Sequence, residues 1–119
     1  MMEKYVNLVE FSSDRPYMVG AVLIFGGLNE VTASTMVNDT RLAGVVSAVL
    51  GEHLVAIAMA GRAMCRVVGR TKKGDLLTTA NTPGCAVRAI DTTLGSIVGK
   101  ALQDKDFGEA GLIEIAVLR

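Results

Sequence analysis

The chain has 119 residues, enough for one domain with a hydrophobic core of its own; half of them are hydrophobic and only 4% aromatic, so that core is built from Val, Ile, Leu, Ala and Met. Twelve basic residues cancel twelve acidic ones, which leaves no electrostatic footprint for general nucleic-acid binding. No apolar run reaches the length of a membrane span, and Met1-Met2-Glu3-Lys4 lacks the basic and apolar regions of a signal peptide. The doubled methionine suggests an initiator added to a C-terminal fragment of a longer chain.

Residues 1–17 are mixed and polar and are expected to be less regular, with Ser12-Ser13-Asp14-Arg15-Pro16 as a loop. Tyr17–Phe25 and Glu30–Thr35 are rich in β-formers and flank the break Gly26-Gly27-Leu28-Asn29, which predicts a hairpin. Leu42–Leu50 follows as a Val-rich strand closed by Gly51-Glu52. Leu54–Ala60 is a short apolar run bounded by Gly51 and Gly61, and reads as a buried strand. Ala63–Val68 is a further run, with Arg62, Met64 and Arg66 on one face and Ala63, Cys65 and Val67 on the other.

Gly69–Gly74 is a basic turn carrying Arg70, Lys72 and Lys73, and Asp75–Thr79 is a strand. In Asn81-Thr82-Pro83-Gly84 the Pro-Gly pair suits the central positions of a type II turn. Cys85–Ile90 is a strand with Ala86, Arg88 and Ile90 on one side, Ser96–Leu102 is short and apolar, and Asp104–Gly108 is a charged loop. Gly111–Leu118 closes the chain as an alternating strand. No segment has a helix cap followed by a sustained 3.6-residue period. The prediction is a single all-β domain over 1–119, a compact barrel, sandwich or clip of about eight or nine short strands.

Chemistry is sparse. His53, the one histidine, sits beside Glu52 at a turn; neighbours on a strand face opposite ways, so the pair makes a poor dyad. Ser47 would have to recruit His53 across a turn, and reads as structural. Cys65 and Cys85 lie outside any metal-ligand spacing and read as reduced, buried thiols. Asp104, Asp106 and Glu109 share a loop but lack the spacing of a calcium loop. No phosphate loop occurs at the glycine pairs. The expectation is therefore no catalytic set, no metal and no cofactor. With little charge and much apolar surface, the chain is expected to associate with copies of itself, with Leu54, Ile57 and Met59 as the strand residues that do so.

One resemblance runs through this succession. The stretches Gly20-Ala21-Val22-Leu23-Ile24-Phe25-Gly26-Gly27, Glu30-Val31-Thr32-Ala33-Ser34 and Asp39-Thr40-Arg41-Leu42-Ala43-Gly44-Val45-Val46-Ser47 open it. Ala56-Ile57-Ala58-Met59-Ala60-Gly61-Arg62, Cys65-Arg66-Val67-Val68-Gly69 and Lys72-Lys73-Gly74-Asp75-Leu76-Leu77-Thr78-Thr79 continue it. Thr82-Pro83-Gly84-Cys85-Ala86, Ile97-Val98-Gly99-Lys100-Ala101-Leu102 and Gly111-Leu112-Ile113-Glu114-Ile115 complete it. The ordered set resembles the C-terminal β-rich domain of tailed-bacteriophage fibre and other virion structural proteins. That resemblance implies a homotrimer in a tail fibre or appendage, in contact with other virion proteins and with a host surface receptor. The set is also distantly similar to intramolecular-chaperone domains that end phage appendages and cleave themselves at a Gly-Val-Val-Ser stretch followed by Asn-Pro. Here Ala48-Val49 follows Ser47, so self-cleavage at Ser47 is the alternative reading. A small-ligand or glycan-binding module is a third reading, with only Tyr5 and Tyr17 as ring platforms besides three Phe and no Trp.

Overall fold

The computed structural model describes residues 6–118 and builds them from nine strands: β1 (Val6–Ser12), β2 (Val22–Phe25), β3 (Val31–Ala33), β4 (Leu42–Gly51), β5 (Leu54–Val67), β6 (Leu76–Thr79), β7 (Ala86–Arg88), β8 (Ile97–Ala101) and β9 (Gly111–Val117). The fold is all-β, as composition and turn spacing predict. The doubled methionine and Tyr5 lie outside the described residues.

One strand organises everything else. The second half of β5 pairs antiparallel with β9 and touches β7 in parallel at Val67↔Ala86, and the path β7–β6–β8–β9 returns to β5. These five strands form a closed barrel, which removes their sheet edges. The first half of β5 pairs with β4 on one side and β1 on the other, and β4 continues through β2 to β3. A parallel bridge between Ser13 and Val31 brings the two ends of this second sheet together. The sequence reading expected residues 1–17 to be irregular. Seven of them instead form β1, because Val9 and Phe11 pair with Ile57 and Val55 of the apolar first half of β5.

Two cores follow from the two sheets. Leu77, Val98, Ile113 and Ile115 meet Cys65 and Val67 inside the barrel, in a cluster that also takes in Val45 and Ala58. Leu23, Val31, Val46, Val55 and Ile57 form the second core, with Tyr17. Gly61 is what lets β5 serve both. It was expected to end a strand, but the strand runs through it at φ 98°, a conformation in which a side chain is strained. Before it, the even residue Ala58 faces the barrel cluster; after it, the odd residues Cys65 and Val67 do. Three single-residue irregularities add to the twist: Ser47 and Leu50 are skipped in the β4–β5 ladder and Met59 in the β1–β5 ladder.

The Pro-Gly turn forms as its residues dictate. Cys85 N–H donates to Thr82 C=O over 3.1 Å, and Gly84 takes φ 71° at the third position. The cysteine run is shorter than expected: β7 holds three residues, with Ala86 buried and Arg88 exposed, and Ile90 lies beyond its end in the connection to β8.

A polar clasp ties the two sheets. The buried Asp39 N–H donates to Thr79 Oγ1 at 2.8 Å, while its carboxylate accepts from the Arg41 N–H at 2.9 Å, Nε at 3.1 Å and Nη2 at 2.9 Å. The bonds from Arg41 hold the Asp39 carboxyl below its ordinary range against the opposing effect of burial. A carboxyl whose folded pKa is depressed contributes stability that is complete above its unfolded pKa and is lost as pH falls through the folded one. Asp39→Asn is therefore expected to lower stability at pH 7 by about 1.5 kcal/mol, the low end for a charged hydrogen bond because the guanidinium is half open to solvent. Urea melts of the two proteins should begin to converge as pH falls below about 4.

Candidate functional site

The residues named as chemical candidates are dispersed. His53 lies exposed in the two-residue turn between β4 and β5, where its Nδ1 meets Ser13 C=O at 2.9 Å and its own C=O accepts from Ser13 N–H at 3.0 Å. It thus clamps the end of β1. Ser47 is half-buried on its bulge, and the peptide that follows it lies within the β4–β5 ladder, where Ala48 pairs with Ala56. Burial pushes the Cys65 thiol up, away from the thiolate a nucleophile needs. Burial also raises Cys85, partly offset by the positive charge of Arg66.

The acidic loop is a clasp rather than a converging ligand set. Asp104 accepts from Lys73 N–H at 2.8 Å, Lys105 pairs with Thr71 as a β-bridge, and its Nζ donates to Gly69 C=O at 3.3 Å. Among the described residues no three His, Cys, Asp or Glu side chains gather to hold a metal. No helix among them is long and apolar enough to cross a membrane. The buried hydroxyls of Ser34 and Thr71 have no hydrogen-bond partner in the protein.

Of the three residues predicted to meet another copy, Ile57 is 0% exposed and spent inside the second core. This corrects the expectation for Ile57: a side chain already covered by its own protomer has no surface to offer. Its β-strand pattern marked it as apolar, and burial against Val46 and Val9 across the ladders took it inside. Met59 packs half-buried against the same core, and Leu54 is half-buried beside the turn that carries His53.

Large apolar side chains stand exposed elsewhere, two of them on the connection between β7 and β8. Ile90 is 90% and Leu94 94% exposed. This connection is held at both ends. Ala89 N–H donates to Leu76 C=O at 2.8 Å; Ser96 N–H and Oγ both donate to Thr93 C=O; and the buried Thr78 hydroxyl donates to Ser96 C=O at 3.0 Å. Gly95, at φ 89°, lies against Thr40. An anchored backbone thus carries two large aliphatic side chains into solvent. Leu94 borders a hollow of about 330 Å³ whose other apolar walls are Leu42, Ile97 and Leu118. Ile90 borders a second, of about 280 Å³, with Val37 on its apolar side and Arg88 and Asp91 at its rim. Each hollow thus sets an exposed aliphatic side chain beside further apolar walls, a setting that suits a protein contact. The sequence reading missed it because Ile90 ends a predicted strand and Leu94 sits among threonines; an aliphatic residue isolated in a polar connection was the available signal.

No family model matches this chain, and no curated protein matches it.

Proposed function

We propose that this domain is a structural part of a phage virion, in a tail fibre or related appendage, and that it works by assembling as a homotrimer. The observation that carries this reading is the anchored display of Ile90 and Leu94 beside two apolar hollows. A monomer gains nothing from holding two aliphatic side chains in water on a pinned loop; copies of the chain that bury them against one another remove that cost. The barrel supports the reading through its closed edges, which limit unwanted strand pairing in a repeated assembly. The family phrases along residues 18–118 add the virion setting, where contacts with other virion proteins and with a host receptor belong.

Two experiments test it. Chemical cross-linking at micromolar concentration should give a ladder that stops at three subunits. Antibody to the domain should decorate the tail end of particles released by cells carrying its gene. A ladder that never passes one subunit overturns the assembly, and particles without label overturn the setting.

A further inference from the structure

A second cleft, sharing no residue with the apolar patch, has a different character. It lies where the chain before β2, the outer face of β5 and the Pro83-Gly84 turn meet, and has a volume of about 290 Å³. Its walls include Arg15, Tyr17, Met18, Arg66, Pro83 and Gly84.

The charges in it do not balance. Arg15 is matched: it meets the Asp14 carboxylate at 3.4 Å and lies over the Tyr17 ring at 5.5 Å. The other oxygen of Asp14 accepts from the Tyr17 hydroxyl at 2.6 Å. Arg66 has no such partner. Its backbone N–H is tied to Gly20 C=O at 2.9 Å, its stem packs beside Gly20, and its positive charge lies near the Cys85 thiol. Among the described residues no carboxylate pairs with it. Without a counter-charge the planar fork of Arg66 is open to an anion, and it matches a carboxylate in bidentate fashion.

We infer that this cleft binds a small organic carboxylate, paired with Arg66 and flanked by the apolar surfaces of Met18 and Pro83. One uncommitted guanidinium favours a singly charged ligand over a doubly charged one, and the volume, near the lower end for ligand pockets, fits a single ring. A uronic acid has both properties. The inference stands apart from the proposed assembly, because it uses other residues and another readout.

The test is an NMR titration of the whole chain at constant ionic strength with glucuronate, glucose and inorganic phosphate as probes. Glucuronate should shift the Gly84 amide and the Arg66 Nε–H resonances saturably, glucose should not, and phosphate should bind more weakly. Arg66→Gln should weaken glucuronate at least about tenfold, the scale of a lost charged hydrogen bond. Arg15→Gln should have the smaller effect. Should Arg66→Gln fail to fold, Arg66→Lys keeps the charge but not the fork, and should bind detectably but more weakly than the wild type. Equal shifts with glucose, tighter binding of phosphate, or glucuronate affinity unchanged in the Arg66 variant overturns the inference.

Discussion

Gly99→Ala is expected to destroy the barrel. Gly99 lies in the middle of β8, paired to Leu77 of β6 on one side and Val117 of β9 on the other, and it is buried. A methyl group there would run into the backbone of β9, at the carbonyl of Ala116 and the Cα of Val117. No flexible side chain stands in the way that could swing aside. The strands must separate, and β8 is the strand that joins β6 to β9. Overpacking a well-filled core costs about 1–3 kcal/mol, and a backbone collision at a ring closure belongs at or above the top of that range. Against the ~5–15 kcal/mol that holds a domain together, a loss of at least ~3 kcal/mol should be plain in a urea melt. Gly69→Ala is the control: its added methyl meets nothing within 4 Å, so only the strain of a positive φ, 76°, remains. Gly99→Ala melting within ~1 kcal/mol of the wild type would mean that β8 does not approach β9 as described.

Ile57→Ala should cost about 2–5 kcal/mol, the usual penalty for emptying a fully buried aliphatic position. Ile57 pairs with Val9 of β1 and Val46 of β4, and contributes one of the largest wholly buried side chains of the second core. The loss should appear in the midpoint of unfolding and leave the denaturant slope unchanged. The folded fraction should keep the wild-type association state, because Ile57 touches only its own protomer. A variant as stable as the wild type but impaired in association would restore Ile57 to a surface between copies.

Local chemistry made some elements readable and left others hidden. Pro83-Gly84 fixes its turn through two residues' backbone preferences, so the structure repeats the expectation there. The alternation of Leu112, Glu114 and Ala116 against Ile113, Ile115 and Val117 likewise separates the outer from the inner face of β9. Gly61 shows where such reasoning stops. A glycine between two apolar runs can end a strand or twist it, and here distant partners decide: β1 pairs with β5 up to Gly61 and β9 pairs from Gly61 onward. The same non-local pairing turns residues 6–12 into a strand that their own composition does not announce. The apolar patch is hidden for a related reason. Nothing in Ile90-Asp91-Thr92-Thr93-Leu94 states that Thr78 will hold the loop by Ser96, and without that anchor the two side chains could fold inward. Alternation alone puts Arg66 on one face with Arg62 and Met64; that Asp14 pairs with Arg15 and Tyr17 instead of Arg66 is not written in the sequence.

The claim on which the account rests is that Ile90 and Leu94 are displayed for contact with copies of the chain. Sedimentation equilibrium of the wild type and of the Ile90→Lys, Leu94→Lys double variant tests it most directly. The wild type is expected at three times the 12.5 kDa protomer mass. The variant should sediment as a single protomer with an unchanged β-type circular dichroism spectrum, since neither side chain contributes to the core. A wild type that remains monomeric throughout the micromolar range, or a double variant that associates as the wild type does, would contradict it.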